Sequence, residues 1–406
     1  MVKLKILISA YSCEPFLGSE SEVGFNWAHN LHQKGHEIHV LTRKSNAILI
    51  EKFYENKSFK PKFIYTDLPS CILKIIKKKN NKYSYLYFYI WQLLIFFKFI
   101  FRLRNEKYDL VHHVTFSSLR YPPLICFLSK KFIYGPVGGG EKIPNKILYE
   151  LNPKIIIMEK FRLLSNLLIK YSFINYFIFK RSYKIYVTTE ETLKLIPKIF
   201  HYKTKILTAI SIENKKNQNT KVKFLDDPLK LLFVGSAIYR KGINIIFKTI
   251  EIFEKEKFNF KLTLICNNQI SSDARKYLTK INKKNIRIIN YLQKKEIDKF
   301  YQNNHFLFFP SLRDSAGFVI LEALKNRTPI ITININGPKQ LINEKIGILI
   351  DPSNKTINDI SYEIYLNLKN ISTSKNIYNN FQKNISNINQ IYSWNNLYKE
   401  IYGEFL

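Results

Sequence analysis

The chain has 406 residues, 46% of them hydrophobic, and 64 Lys and Arg against 31 Asp and Glu give a net charge of +33. That length supplies about two domain cores and that apolar content excludes a broadly disordered chain. The charge favours anionic partners, with a general over-use of Lys, Asn and Ile as the alternative source of part of it. Cys13, Cys71, Cys126 and Cys266 are far apart, with no C-x-x-C pair, which argues against a disulfide framework and a cysteine-built zinc site.

Met1–Pro15 holds one short apolar run, Ile6–Ala10, below the ~7–15 residues of a secretory core, and reads as the first strand. A polar loop, Tyr11–Ser21, leads to a helix carrying Phe25, Trp27, Ala28 and Leu31, which Gly35 ends. Glu37–Thr42 is the next strand. Residues 71–107 carry nine basic side chains against Glu106, with Tyr83–Trp91 between the clusters. That composition suits an anionic membrane surface; the competing reading is a core helix with solvated lysines. Its uncharged stretch, Tyr83–Phe97, falls short of the ~20 apolar residues of a spanning helix.

Strands follow at Tyr108–His113, at Lys131–Tyr134, which enters the glycine-rich Gly135–Gly140, and at Lys184–Val187. Polar Glu213–Asp227 reads as a linker. The alternation then restarts with strands at Leu231–Val234, Lys261–Cys266, Ile286–Ile289, Phe306–Phe309, Ile330–Thr332 and Gly347–Ile350. Strands alternating with helices predict two doubly wound α/β domains, with ligand at the carboxyl ends of the strands. The expected boundaries are 1–212, a linker over 213–228, 229–390, and a final helix over 391–406.

Four segments have residue types suited to chemistry. After strand Phe306–Phe309, Asp314 and Glu322 bracket a helix that begins at Gly317. A helix start offers free N–H groups and partial positive charge to a phosphate, here from Gly317, Phe318 and Val319. A carboxylate such as Glu322 accepts hydrogen bonds from vicinal sugar hydroxyls. Strand Leu231–Val234 runs into Gly235 and then Arg240-Lys241-Gly242, a basic turn at a helix entrance that suits a diphosphate. Strand Tyr108–His113 ends in two histidines. Side-chain alternation and the terminal position favour His113 as the residue facing ligand, with His112 the alternative. Two loops, Tyr11–Gly24 and Gly135–Glu141, carry glycines but match neither G-x-G-x-x-G nor a Walker loop.

The frame F-P-S-x-x-(D/E)-x-x-G-F-x-x-L-E-A, here Phe309 to Ala323, resembles the retaining glycosyltransferases of family 4, of the GT-B fold. The two glycine loops resemble the Y-x-C-E-P-x-x-G-S-E and G-P-x-G-G-G-E segments of a bacterial glycan-assembly subgroup. The resemblance implies two Rossmann-like doubly wound domains facing a central cleft, with the last helix crossing back to the first domain. It implies that Asp314 touches the donor sugar, that Glu322 bonds the nucleotide ribose and that Lys241 holds the lysine place of a G-R-x-x-x-x-K-G loop. Ser236 stands where that loop has Arg, so the Arg role passes to Arg240. Gly18 and Gly235 approach the donor, His113 orients its sugar, and Glu20, Gly138, Gly139 and Gly140 lie on the acceptor side.

The implied reaction moves a hexose, with retention, from a nucleotide-diphosphate sugar to a glycan or lipid-linked acceptor in surface polysaccharide synthesis. No D-x-D motif is present, so no metal and no cofactor are expected. The expected location is cytoplasmic, with 71–107 a candidate contact to the inner membrane face and no nucleic-acid partner. The alternatives are a sugar-nucleotide epimerase of the same fold and a non-catalytic basic protein that binds membrane or nucleic acid.

Overall fold

Apolar runs bounded by Gly, Pro and polar turns become the strands of two all-parallel sheets, each in its own unit. The computed structural model describes residues 3–70, 72–73, 84–128, 131–211, 223, 225–266, 269–280, 283–290, 292–388 and 392–405. Of the expected linker, only residues 223 and 225–228 fall within these. Lys74, Lys77, Lys78, Lys79 and Lys82 of the basic segment lie outside them.

The first unit comprises Met1–Gly140, Leu164–Ala209 and Tyr398–Leu406. Its elements begin with β1 (Lys5–Ser9), α1 (Ser19–Gln33), β2 (Glu37–Arg43), α2 (Ala47–Tyr54), β3 (Lys62–Thr66), α3 (Ser84–Asn105), β4 (Leu110–His113) and β5 (Phe132–Val137). The chain then forms α4 (Asn145–Tyr149) and α5 (Pro153–Lys170), returns to the first unit at Leu164 within α5, and continues there with α6 (Phe173–Arg181), β6 (Ser182–Val187), α7 (Glu190–Leu193) and β7 (Thr204–Ile206). The sheet order is β3-β2-β1-β4-β5-β6-β7. Order reverses between β1 and β4, where Ser9 pairs with His113. Strands buried on both faces, such as β4 and β5, have no solvent side, which is why they read as unbroken apolar runs.

The second unit comprises Glu141–Leu163 and Ile210–Leu397. Its strands are β8 (Leu229–Val234), β9 (Phe260–Ile265), β10 (Ile286–Ile289), β11 (Phe306–Phe309), β12 (Ile330–Ile333) and β13 (Gly347–Ile350), in the order β10-β9-β8-β11-β12-β13. Between them run α8 (Ile243–Lys255), α9 (Ser272–Lys280), α10 (Lys294–Asn303), α11 (Phe318–Lys325) and α12 (Asn336–Leu341). Then come α13 (Ile357–Thr373), α14 (Lys375–Ile388) and α15 (Trp394–Tyr402). Here the order reverses between β8 and β11.

One placement differs from the sequence reading. Residues 141–163 were expected in the first domain, yet they pack in the second unit. The Asn336 side chain brackets Lys142, accepting from its N–H at 3.1 Å and donating to its carbonyl at 3.1 Å. Glu150 accepts from the Ile357 N–H. At the end of the chain, Tyr398–Leu406 pack in the first unit, through His36 Nε2 to Tyr398 Oη at 2.6 Å and Tyr186 Oη donating to the Glu400 carbonyl at 3.1 Å.

The aromatic run expected as a candidate membrane contact contributes, in its described part, chiefly to the core. Tyr87, Phe88, Trp91 and Ile95 on α3 are buried. Tyr11 meets the rings of Tyr87, Phe88 and Trp91 edge-on at 5.0–5.7 Å, and the Trp91 indole N–H donates to the Thr66 carbonyl at 2.9 Å. Composition cannot tell an inward stripe from an outward one, and here the stripe turns inward. Among the described residues no helix is long and apolar enough to cross a membrane. Trp91→Ala is expected to cost about 3–5 kcal/mol in a denaturant titration; a cost below about 1 kcal/mol would return this helix to the surface.

Candidate functional site

In each unit the strand-order reversal leaves a crevice at the carboxyl ends of two neighbouring strands, the place where α/β sheets bind ligands. In the second unit two loops leave that edge side by side. The loop after β8 runs from Gly235, at φ 138°, through a short turn at Tyr239–Lys241 to Gly242 and α8. The loop after β11 runs from Pro310 to Gly317 and α11. The Arg240 carbonyl stitches them, accepting from the N–H groups of Leu312 and Arg313 at 3.0 and 3.1 Å and from Ser311 Oγ at 3.1 Å.

Gly242 makes this approach feasible. It sits at φ 76°, and a Cβ there would stand 1.8 Å from the Pro310 carbonyl oxygen. Only glycine satisfies both the left-handed backbone and that contact.

Lys241 Nζ reaches across to Asp314 Oδ2 in a part-buried ion pair. The other carboxylate oxygen of Asp314 accepts from the N–H groups of Ala316 and Gly317 at 3.2 and 3.3 Å. Burial alone would raise the Asp314 pKa. The Lys241 charge and hydrogen bond, with the two backbone N–H groups, outweigh it and hold the carboxyl below its ordinary value. Asp314 is therefore an anion at neutral pH, and it pins Lys241 at the mouth of α11.

Gly317, at φ 62°, caps α11 without a side-chain cap. The N–H groups of Phe318 and Val319 have no acceptor among the described residues, as expected at a helix start. Glu322 lies one turn further along. It accepts from Tyr301 Oη at 2.8 Å and has Lys294 Nζ 4.0 Å away. Tyr301 is buried, which with the Glu322 charge keeps its phenol protonated and donating. Arg240 is exposed beside Lys241.

Sequence reasoning missed a buried support beneath these loops. Glu159 of α5 is 2% exposed. It accepts from Arg162 Nε at 2.8 Å, Arg313 Nη1 at 2.8 Å and Tyr239 Oη at 2.9 Å. One carboxylate thus holds a residue from each of the two loops. No signal marks it in the chain, because Glu159 lies far in sequence from both loops.

In the first unit the two histidines divide. His112 accepts from Tyr402 Oη through Nδ1 at 2.5 Å and donates through Nε2 to the Gly135 carbonyl at 2.6 Å, so both its nitrogens serve the fold. His113 meets Ser9 Oγ through Nδ1 at 3.0 Å, and its buried Nε2 has no partner. Burial lowers His112 to about 4, and burial with the neighbouring His112 lowers His113 to about 3. Both are neutral at pH 7.

The glycine loops are close-packed backbone. A Cβ on Gly140 would stand 2.4 Å from the Glu191 backbone, while Gly139, at φ 124°, gives its carbonyl to Arg120 Nη2 at 2.8 Å. Gly138 donates to the Ser117 carbonyl at 2.9 Å. Gly18 caps α1 at φ 67° with open space around its Cα. Glu20, in the first turn of α1, directs its carboxylate to the backbone of Phe116 and Ser117. A concavity of about 490 Å³ lined by Lys230, Lys261 and Arg287 lies at the opposite, amino-terminal edge of β8–β10, away from both loops.

Residues 214–384 match the family model for glycosyl transferases group 1. Among curated relatives, an uncharacterized glycosyltransferase of Methanocaldococcus jannaschii is 26% identical over 197 residues, 47% of this chain and 48% of its own length. The capsular polysaccharide biosynthesis glycosyltransferase CapM of Staphylococcus aureus is 27% identical over 143 residues, 34% of this chain and 37% of its own. The chain thus spans less than half the length of either relative. A glycosyltransferase from Rickettsia africae superposes with a TM-score of 0.59 at 14% identity, covering 99% of this chain and 98% of that one. Anabaena HepE, solved with UDP, superposes at 0.60 with 12% identity, covering 99% of each. The fold is that of GT-B glycosyltransferases: two Rossmann-like units of parallel strands with helices.

Gly242→Ala is expected to cost at least about 2 kcal/mol, whereas Gly18→Ala, which meets only backbone strain, costs about 1 kcal/mol. Equal thermal midpoints for the two variants would contradict the loop contact. Stability is also expected to depend on pH through the buried histidines. Each binds a proton more readily unfolded, at about 6.5, than folded. Their contribution is complete above pH 6.5 and declines as pH falls toward their folded values. From pH 6.5 to 5 each loses about 2 kcal/mol. His113→Asn should flatten that decline in a melting series; an unchanged slope would place His113 in water.

Proposed function

We propose that this chain is a glycosyltransferase that takes its donor, a nucleotide-diphosphate sugar, on the second unit and transfers a hexose with retention to a growing surface glycan. The observation that carries the reading is the Lys241–Asp314 pair between two backbone-stitched loops, beside the open N–H groups of α11. The match of 214–384 to group 1 glycosyl transferases supports it. So does the likeness of fold to a structure solved with UDP.

In this reading the diphosphate lies against the Phe318 and Val319 N–H groups, where the helix dipole favours negative charge. Departure of the nucleoside diphosphate concentrates charge on its terminal phosphate. Lys241 and Arg240 offset that charge, and Lys241 is pre-positioned by Asp314, so little reorganisation is needed as the bond breaks. Glu322, oriented by Tyr301, accepts hydrogen bonds from the ribose hydroxyls. His113, neutral and with Nε2 unpartnered, serves a sugar hydroxyl from the first unit, and Asp314 orients the sugar through a hydroxyl. Gly235 allows the donor to approach the backbone after β8. The acceptor is a glycan or a lipid-linked glycan, and the polysaccharide setting is supported by the likeness to CapM.

Lys241→Ala is expected to lower transfer from a labelled nucleotide sugar by about 10²–10³-fold. Glu322→Ala should lower kcat/KM by about 10–100-fold, a loss of one charge-assisted contact. Because Lys241→Ala leaves the part-buried Asp314 carboxylate without its cation, its melting curve is measured alongside. Near-normal turnover in both variants overturns the assignment. An isomerised donor formed without acceptor would favour an epimerase instead.

A further inference from the structure

Helix α5 carries an apolar stripe that the described chain leaves uncovered. Ile157, Phe161, Leu164 and Leu168, with Tyr171 just past the helix end, succeed one another at intervals of four and three residues, the spacing of one helical face. Their exposures run from 53% to 79%. The following helix, α6, extends the surface with Phe173 at 80% and Ile174 at 49%. Both helices bury a separate set of residues, Ile169, Ile178 and Phe179, in the core of the first unit. The outward apolar side is therefore additional to what folding requires.

The surface continues onto α3. Phe177 stacks on Phe127 at 5.5 Å, Phe127 meets Phe96 at 5.8 Å, and Phe96 meets the exposed Phe97 at 5.4 Å. Folded chains rarely leave so extended an apolar area in water without a partner.

The charge around it selects the partner. Lys154, Lys160, Lys170, Lys180 and Arg181 are exposed on the same two helices, and Lys98 beside Phe97. The sole acid of α5 and α6, Glu159, is buried against Arg162 and Arg313 and gives nothing to the surface. Apolar and aromatic side chains flanked by exposed lysines are the chemistry of a helix that lies in the interface of an anionic bilayer. A second copy of this chain would bring another +33 against the same cationic rim, which opposes self-association through this face.

We propose that the α5–α6 surface docks on an anionic lipid bilayer, its stripe at the level of the acyl boundary and its lysines at the headgroups. The membrane contact thus lies on Ile157–Arg181 and not on Tyr87, Phe88 and Trp91 of α3, which are buried. The docking does not depend on the glycosyltransferase reading, since it is measured without donor or turnover, so failure of one leaves the other standing.

The test is sedimentation of the full chain with phosphatidylcholine vesicles, with and without phosphatidylglycerol. Binding to the anionic vesicles should be at least about tenfold tighter and should weaken as salt rises. The double variant Leu168→Glu/Phe173→Glu changes only exposed side chains. It should keep its thermal midpoint and lose at least about tenfold in vesicle affinity. Phe173→Trp should emit further to the blue when anionic vesicles are added. Equal binding to both vesicle types, undiminished binding by the double variant, or an unshifted Trp emission would each overturn the proposal. So would a wild-type dimer that the double variant turns into a monomer.

Discussion

The Lys241 ammonium and the Asp314 carboxylate meet between two loops that leave neighbouring parallel strands, and the arrangement of the second unit converges on that meeting. A cation and an anion placed there unpaired would each carry a large desolvation cost. Together, with the Ala316 and Gly317 N–H groups sharing the carboxylate, they are stable while part-buried. The Arg240 carbonyl and the glycine at 242 bring the two backbones close enough for the pair to form. The Gly242 contact is steric, the Arg240 contact is a hydrogen-bond cluster and the Lys241 contact is ionic; each restrains the others.

Beneath the pair, the Glu159 carboxylate gathers Tyr239 from one loop and Arg313 from the other. A buried acid held by two guanidinium groups and a phenol is a rigid support, and its rigidity passes to the residues one step along each loop, Arg240 and Asp314. In the first unit His113 follows a related logic. Its neutral state is imposed by burial, its orientation by Ser9, and one nitrogen is left over. His112 spends both nitrogens on the Tyr402 phenol and the Gly135 carbonyl, and so holds the last helix in the first unit.

Much of this was legible in the chain. The strands were visible because parallel strands buried on both faces are unbroken apolar runs ended by Gly or Pro, as at Val234-Gly235 and Phe309-Pro310. Side-chain alternation singled out His113 over His112, and of the two only His113 keeps a ring nitrogen without a partner. Three features were not legible. Glu159 belongs to a segment that folds with the second unit although it precedes the linker, and nothing local says so. The aromatic run around Trp91 has the composition of an interfacial segment, but burial depends on which neighbours the fold supplies. The stripe from Ile157 to Tyr171 has the periodicity of a core helix, and it is the fold that turns this side outward.

The central claim is that the loops after β8 and β11 form a ready site for a nucleoside diphosphate bearing a sugar. It is tested most directly by the melting temperature of the chain in a panel of UDP-, GDP- and ADP-sugars, because a ligand that binds only the folded state raises the midpoint. The account predicts a rise with at least one donor, reduced by Glu322→Ala. A wild-type midpoint that stays flat across the whole panel at millimolar ligand would contradict it.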